Sequence, residues 1–169
     1  YKDMGVDGIK TGFLTVEKYS LAASMKVGKR RINSVASGFS TKNLRSRESI
    51  KLLTWGLRKF DTIQVATIEK PVASLDVWLG KKNKIDVYVK ENIYLTVPKR
   101  KKKTIKAVLE YNGPVLAPIK KGDKIGTLNV YQDNELIKET NLYSNENIKR
   151  SNIFARLLKS LNYLVWGDA

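Results

Sequence analysis

Between Thr62 and Ser144 the sequence contains seven short runs of β-forming residues, with turn signals between them at Gly80–Asn83, Asn112–Pro114, Lys121–Asp123 and Asp133-Asn134. Runs of this kind are typical of short strands. Their number and spacing predict a small antiparallel β-sandwich or barrel. The predicted strands are Thr62–Ile68, Ser74–Leu79, Lys84–Val89, Ile93–Val97, Thr104–Leu109, Lys124–Tyr131 and Glu135–Thr140.

The stretch from Tyr1 to Asp61 has a different pattern. Three short strands and one helix are too little for an independent α/β domain, so we expect this stretch to be the closing edge of a larger one. The apolar part of the helix, Leu52–Leu57, is predicted to be largely buried. The predicted elements are strands at Ile9–Phe13, Tyr19–Met25 and Arg31–Gly38, a tight turn at Val27–Arg30 and a helix at Ser40–Lys59.

A third pattern, at Ser151–Trp166, predicts an amphipathic helix. At 100° per residue, its large apolar side chains fall within an arc of about 140°, while the polar face is basic. These features, with a Tyr and a Trp near the end, favour a helix lying in a membrane interface over a core helix. Sixteen residues reach only ~24 Å, too short to cross a bilayer. The anchor residues are the arc members Ile153, Phe154, Leu157, Leu158, Leu161, Leu164 and Val165, joined by Trp166.

The charge of the chain indicates an anionic partner. Lys and Arg number 32 against 16 Asp and Glu, a formal net charge of +16. Nucleic acid, acidic lipid and an acidic polymer all fit that excess. The densest run, Lys99–Lys103, has no interleaved aromatic residues for base stacking, so a solvated hairpin tip is favoured over a nucleic-acid site. We expect an anionic membrane surface as partner and no nucleic acid.

Two residue types are absent from the chain. Without Cys there can be no disulfide or thiolate nucleophile, and without His there can be no Ser-His-Asp triad and no usual zinc site. Any hydrolase chemistry must therefore use Lys, Ser, Tyr or a carboxylate to carry protons. We expect neither a metal nor a cofactor. The chain begins at Tyr1 without a start Met, and we expect it to be a piece of a longer protein.

The stretch Gly5–Gly12 matches the pattern Gly-Val-Asp-Gly-x-Lys-Thr-Gly, the third signature of penicillin-binding proteins and serine β-lactamases. Further matches follow without a gap. β-Lactamases have no comparable β-rich tail, so the chain resembles the C-terminal portion of a low-molecular-mass penicillin-binding protein, a D-alanyl-D-alanine carboxypeptidase. The other matching stretches are Tyr19–Ser24, Arg30–Ile32, Ser34-Val35, Arg45, Glu48-Ser49, Leu52–Gly56, Val77–Gly80, Tyr94–Pro98, Ala117-Pro118 and Lys124–Gly126.

The resemblance implies an α+β fold in three parts. Residues 1–61 would be the closing strands and helix of a serine β-lactamase/transpeptidase-like domain, residues 62–144 a small antiparallel β-sandwich domain, and residues 145–169 the membrane-anchor helix. The implied enzyme trims peptidoglycan stem pentapeptides, is trapped by β-lactams and lies at the periplasmic face of the bacterial inner membrane.

The resemblance also implies roles for five residues. The Lys10 ammonium would lie beside the nucleophile network, where it favours an ionised neighbour. The Thr11 hydroxyl and the Arg45 guanidinium would bind the terminal carboxylate of the substrate. Gly12, having no side chain, would let the substrate backbone come close, and the Phe13 N–H would be one donor of the oxyanion hole.

The remaining signatures of the family are missing. No Ser in this chain has a Lys three residues later, so the Ser-x-x-Lys nucleophile segment is absent. Ser-x-Asn occurs only by chance, at Ser160-Leu161-Asn162. The chain alone is therefore predicted to be inactive. The alternatives left open are a β-lactamase-related hydrolase, a non-catalytic membrane-bound cell-wall binding module and, from charge alone, a nucleic-acid binder.

Overall fold

The computed structural model describes residues 5–28, 30–153 and 157. Within them the protein is mostly β-sheet with one long α-helix. The chain divides into two compact units. Unit 1 comprises Tyr1–Thr62 and Thr96–Lys102, and unit 2 comprises Ile63–Leu95 and Lys103–Ala169. The division predicted from the sequence, at residues 61/62 and 144/145, stays a prediction.

Unit 1 contains a three-stranded antiparallel sheet in the order β1-β2-β3. The strands are β1 (Val6–Leu14), β2 (Lys18–Val27) and β3 (Arg30–Phe39). Gly28, in the turn between β2 and β3, has a φ of +60°, a conformation that favours glycine. Within the described residues β1 pairs on one side only, so it is an edge strand.

The helix α1 (Lys42–Lys59) packs one face on this sheet. It begins at Thr41, whose Oγ1 accepts a hydrogen bond from the Leu44 N–H at 3.1 Å. Its buried face contributes Ser49 and Leu53. The prediction that Leu52–Leu57 would be largely buried is wrong for Leu52 and Trp55, which are 42% and 52% exposed. The sheet covers one face of the helix only, and these two side chains lie outside that face.

Most of the remaining strands form one six-stranded sheet in the order β8-β10-β11-β6-β5-β9, while β4 and β7 pair with each other. The predicted all-antiparallel arrangement needs correction, because β5 and β9 are parallel. Strand β9 has only two residues, too few to leave a sequence pattern. The strands are β4 (Phe60–Ala66), β5 (Ala73–Trp78), β6 (Lys84–Tyr88), β7 (Ile93–Pro98), β8 (Ile105–Tyr111), β9 (Val115–Leu116), β10 (Lys124–Gln132) and β11 (Glu135–Ser144).

The core of unit 2 follows from strand alternation. In β6, Ile85 and Val87 are buried while the residues between and before them are exposed. Strands β10 and β11 join through the two-residue turn Asp133-Asn134, whose φ values of +52° and +69° fit a type I′ hairpin. The core cluster is Ala66, Leu75, Val77, Ile85, Val87, Val89, Ile93, Ala117, Ile119, Leu128, Leu142 and Ile148.

The basic run is not a hairpin tip, contrary to the prediction. Lys99–Thr104 forms a 3₁₀ helix. It joins β7, which pairs with β4, to β8, which pairs with β10, so the flanking strands belong to different sheets. The Lys102 ammonium makes an ion pair of 2.9 Å with the Asp61 carboxylate. That contact lowers the pKa of Asp61 below its ordinary value, first through the hydrogen bond and then through the charge of Lys102.

At the predicted anchor, Ile153 and Leu157 are helical and exposed. In the part of the chain that the structure describes, none of the helices is long and apolar enough to span a bilayer. The other predicted anchor residues, Phe154, Leu158, Leu161, Leu164, Val165 and Trp166, lie outside the described residues.

Candidate functional site

The triplet Lys10-Thr11-Gly12 lies in the middle of the edge strand β1. Its residues face Ala22, Leu21 and Ser20 of β2 in antiparallel register. Because β1 has no second neighbour among the described residues, its other side offers main-chain groups to an extended peptide. Lys10 and Thr11 are exposed there. The edge can therefore bind a peptide as an added strand.

Gly12 lacks a side chain for a reason that the sequence did not reveal. A Cβ at this position would overlap the Ser20 Oγ on the paired strand. The glycine thus leaves room for the Ser20 hydroxyl in its present rotamer. The close approach of a substrate, which the sequence predicted for Gly12, stays a prediction.

A three-residue contact ties β1 to β3 across β2, and the sequence analysis missed it. The two nitrogens Nη1 and Nη2 of Arg31 bind Oδ1 and Oδ2 of Asp7, each at 2.7 Å. Nη1 also donates to the Ser24 Oγ at 2.6 Å. Asp7 lies where the β1 register shifts between Val6 and Gly8. The hydrogen bond from Arg31 lowers the pKa of Asp7 below its ordinary value of 3.8.

A cavity of about 400 Å³ opens between the β1 edge and the first turns of α1. It brings together three of the predicted site residues, Lys10, Thr11 and Arg45. Gly12 and Phe13 are not in its lining. The residues that line it are Val6, Gly8, Ile9, Lys10, Thr11, Leu21, Ala23, Arg45 and Ser46.

Arg45 is the cation best placed to bind an anion in this cavity. It lies in the first turns of α1, where its backbone N–H donates to the Thr41 carbonyl at 3.0 Å. Its guanidinium carbon lies 6.0 Å from the Tyr19 ring centroid, a distance suited to a cation–π contact. Its Nε is buried and makes no hydrogen bond to any described residue. A buried charged donor without an acceptor is costly, so this group favours a ligand with an anionic oxygen.

Phe13 extends the aromatic support of this region. Its ring centroid lies 4.6 Å from that of Tyr19, with the planes tilted by 42°. Tyr19 thus contacts Phe13 and also lies close to the guanidinium of Arg45. The predicted oxyanion role of the Phe13 N–H stays a prediction.

Across the described residues, no cluster of three or more His, Cys, Asp and Glu could hold a metal ion.

Comparison with known proteins gives the family. The family described as penicillin-binding protein 5, C-terminal domain, matches residues 60–150. This chain belongs to that family. The relationship to low-molecular-mass D-Ala-D-Ala carboxypeptidases predicted from the sequence is thereby confirmed.

Curated relatives extend the match beyond the β-rich region. D-alanyl-D-alanine carboxypeptidase DacA of Escherichia coli K12 is 36% identical over 156 residues, which is 92% of this chain and 39% of the relative. DacC of the same organism is 34% identical over the same shares. DacF of Bacillus subtilis is 30% identical, covering 93% of this chain and 41% of the relative. The chain therefore spans about two fifths of the length of these relatives.

Solved structures show the same fold. Penicillin-binding protein 5 of Haemophilus influenzae has a TM-score of 0.72 at 32% identity, covering 88% of this chain and 44% of that one. The carboxypeptidase DacD of Francisella tularensis has a TM-score of 0.64 at 30% identity, with 87% and 37% covered. Both similarities include residues before position 60, because 87–88% of the chain is more than residues 60–169 alone can supply.

Proposed function

We propose that this chain is the C-terminal part of a serine-type D-Ala-D-Ala carboxypeptidase that trims peptidoglycan stem pentapeptides. Relatives named as D-alanyl-D-alanine carboxypeptidases match 92% of the chain. The observation that carries the proposal is the shared cavity of Lys10, Thr11 and Arg45. A small anion bound there would meet an ammonium, a hydroxyl and a guanidinium together.

The substrate stem would bind as an extra strand along the open edge of β1. Main-chain hydrogen bonds hold an extended peptide without regard to most of its side chains. The terminal carboxylate would then be bound by the Thr11 hydroxyl and by Arg45, whose buried Nε needs an acceptor. The Lys10 ammonium would place positive charge beside the nucleophile network, and the Phe13 N–H would donate to the developing oxyanion.

The chain alone would bind peptide without cleaving it. The acyl-enzyme of this chemistry forms on the Ser of Ser-x-x-Lys, which the sequence does not contain. β-Lactams would likewise acylate only an intact protein that supplies that serine. The proposed chemistry needs neither a metal nor a cofactor.

The proposed location is the periplasmic face of the bacterial inner membrane, with the C-terminal helix as a peripheral anchor. Two observations support it. Ile153 is 77% exposed and Leu157 is 61% exposed, and both are helical. Residues four apart lie on the same face of a helix, so these two side chains are available to a lipid interface.

The test is a titration of the chain with diacetyl-L-Lys-D-Ala-D-Ala, followed by the amide NMR shifts of Lys10–Phe13. We expect shifts at these amides, and a loss of affinity of about tenfold or more in Arg45→Ala, because a hydrogen bond to a charged group contributes roughly 1.5 to 3 kcal/mol. Arg47→Ala is the matched control, since Arg47 lies on the same helix but is exposed and pairs with Glu48. A peptide ending in a carboxamide should bind as weakly to the parent as the free acid binds to Arg45→Ala.

Three results would count against parts of this proposal. Equal losses in Arg45→Ala and Arg47→Ala would remove the role of Arg45. A stoichiometric adduct of the chain with labelled penicillin that survives denaturation would show that the chain carries its own nucleophile. Binding of whole peptidoglycan through unit 2, with no shift in β1, would favour the non-catalytic cell-wall binding module.

A further inference from the structure

Three short segments of unit 2 carry pairs of exposed cations to one place. The segments are 80–82, 119–121 and 148–150. We call their cations the basic collar. Its six members are Lys81, Lys82, Lys120, Lys121, Lys149 and Arg150, and all six are exposed.

Backbone hydrogen bonds hold these segments side by side. Gly80 pairs with Arg150, and Ile119 pairs with Ile148, both in antiparallel bridges. The Lys81 N–H donates to the Lys149 carbonyl at 2.9 Å. Segment 148–150 is therefore the middle one of the three, and paired segments lie about 4.8 Å apart. The collar is thus a compact feature although its members are up to 69 positions apart in the chain (150 − 81).

Alternation along the paired segments turns two of the collar residues, Lys120 and Lys149, outward. Ile119 and Ile148 are 3% and 2% exposed, so each side chain faces the core. Their next neighbours in sequence, Lys120 and Lys149, therefore point away from the core. The lysines are held at the surface by the burial of the isoleucines beside them.

Little of the positive charge of the collar is neutralised. Lys82 pairs with Glu146. Asp123 accepts from the backbone N–H of Lys120, at 2.7 Å, and not from its ammonium. No ion pair is recorded for Lys120, Lys121 or Lys149 within the described residues. Arg150 donates through Nε to the Ala117 carbonyl at 3.0 Å, which fixes its guanidinium without cancelling its charge.

Beyond the collar the chain passes Ser151 and reaches two exposed apolar residues. Ser151 is tied to the Leu79 carbonyl by its N–H at 2.9 Å and by its Oγ at 3.1 Å. Two residues later comes Ile153, and four residues after that Leu157, both helical and exposed. Exposed apolar side chains that follow a basic surface within a few residues match the two layers of an anionic membrane, phosphate above and acyl chain below.

We propose that the basic collar is a second membrane-docking element, which binds the phosphates of anionic lipids while the C-terminal helix enters the interface. The inference rests on the proposed peripheral membrane association and adds the cations of segments 80–82, 119–121 and 148–150 to it. Nucleic acid is the less suitable occupant, because the three segments contain no aromatic residue on which a base can stack. Two weak signals, one apolar and one basic, are the usual requirement for stable peripheral binding.

The test compares two triple variants of the whole chain on vesicles of phosphatidylglycerol and phosphatidylcholine. The collar variant is Lys120→Gln with Lys121→Gln and Lys149→Gln. The matched control is Lys103→Gln with Lys106→Gln and Lys138→Gln, which removes the same charge. Lys106 lies opposite Tyr131 of β10, and Lys138 lies opposite Val130. This end of β10 is about 20 Å from Lys124 at its other end, because a strand rises ~3.3 Å per residue.

We expect the collar variant to bind anionic vesicles on the order of 100-fold more weakly, because each Lys near an anionic surface contributes about fivefold. The control should lose less than about fivefold. Both variants should bind neutral phosphatidylcholine vesicles like the parent. Salt should weaken the parent far more than the collar variant.

The remaining outcomes separate this inference from the membrane proposal beneath it. Equal losses in the two triple variants would overturn the collar, leaving only general attraction. Normal binding by the collar variant, with release by Ile153→Glu together with Leu157→Glu, would overturn the collar while the helix anchor stands. If neither the collar variant nor the Ile153→Glu, Leu157→Glu variant bound vesicles more weakly than the parent, both the collar and the helix anchor would be refuted. Loss of duplex oligonucleotide binding without loss of vesicle binding would make the collar a nucleic-acid site and refute lipid docking.

Discussion

Among the described residues, the core cluster of unit 2 contains twelve buried apolar residues, whereas that of unit 1 contains three, Ala23, Met25 and Leu53. Unit 1 also leaves large apolar side chains exposed on β1 and α1, among them Ile9, Leu14 and Trp55. Burial of apolar surface is the main driving force of folding. Among the described residues, unit 2 therefore has the larger apolar core, while unit 1 leaves more of its large apolar side chains on β1 and α1 exposed.

The largest expected effect that tests this contrast is at Leu53. Leu53→Ala removes the side chain at the centre of the small cluster and should destabilise unit 1 by about 2 to 5 kcal/mol. Amide exchange should show faster opening of β2 and β3 with unchanged protection in β10 and β11. Leu52→Ala is the matched control. Because Leu52 is 42% exposed, its loss should cost about 0.5 kcal/mol or less. Equal effects would contradict the packing described for α1.

An intermediate effect is expected at Gly12. Gly12→Ala places a Cβ against the Ser20 Oγ, which must rotate away, and should destabilise the β1–β2 pair by about 1 kcal/mol. Adding Ser20→Ala removes the opposing oxygen and should restore most of that loss. Denaturant unfolding of the two single variants and the double variant measures the coupling. Purely additive effects would show that the glycine serves another purpose, such as the predicted approach of a substrate.

The smallest effect concerns the Asp7–Arg31 contact. The pKa of Asp7 is lowered by the hydrogen bond from Arg31, so its stabilising effect is present above the unfolded value of about 3.8 and is lost as the pH falls through the lower folded value. Exposed pairs contribute little, so β1 amides should exchange only a few-fold faster at that acidic end. Asp7→Asn should remove this pH dependence. If the exchange protection of the β1 amides in the parent did not change at acidic pH, the Asp7–Arg31 contact would not stabilise β1.

Local structure was largely predictable from the sequence. Ile9–Phe13, Tyr19–Met25 and Arg31–Gly38 lie within observed strands, because alternation and turn residues act over a few positions. Sheet order depends on distant partners. For this reason the sequence predicts a hairpin tip at Lys99–Lys103, whereas the strands on either side of it pair with other strands. The parallel β9, two residues long, left no pattern to detect.

The site was predictable in its residue types and less so in its contacts. Resemblance alone suggested Thr11 and Arg45, and the structure places both in one cavity lining. The contact of Asp7 with Arg31 joins residues 24 positions apart. Asp7 stood in the quoted signature, but nothing in a single sequence indicated its partner. The pairing of Gly12 with Ser20 likewise depends on the β1–β2 register, which a strand prediction does not give.

The place of Ser151 has a mechanical consequence. A load applied to the chain beyond this residue first meets its two hydrogen bonds to Leu79 and then the bridges Gly80–Arg150 and Ile119–Ile148. These contacts lie on both sides of segment 148–150, so tension would be divided between two anchoring segments before it reached the long strands β10 and β11. Segment 148–150 would therefore protect the long strands β10 and β11 from a pulling force on the C-terminal end of the chain.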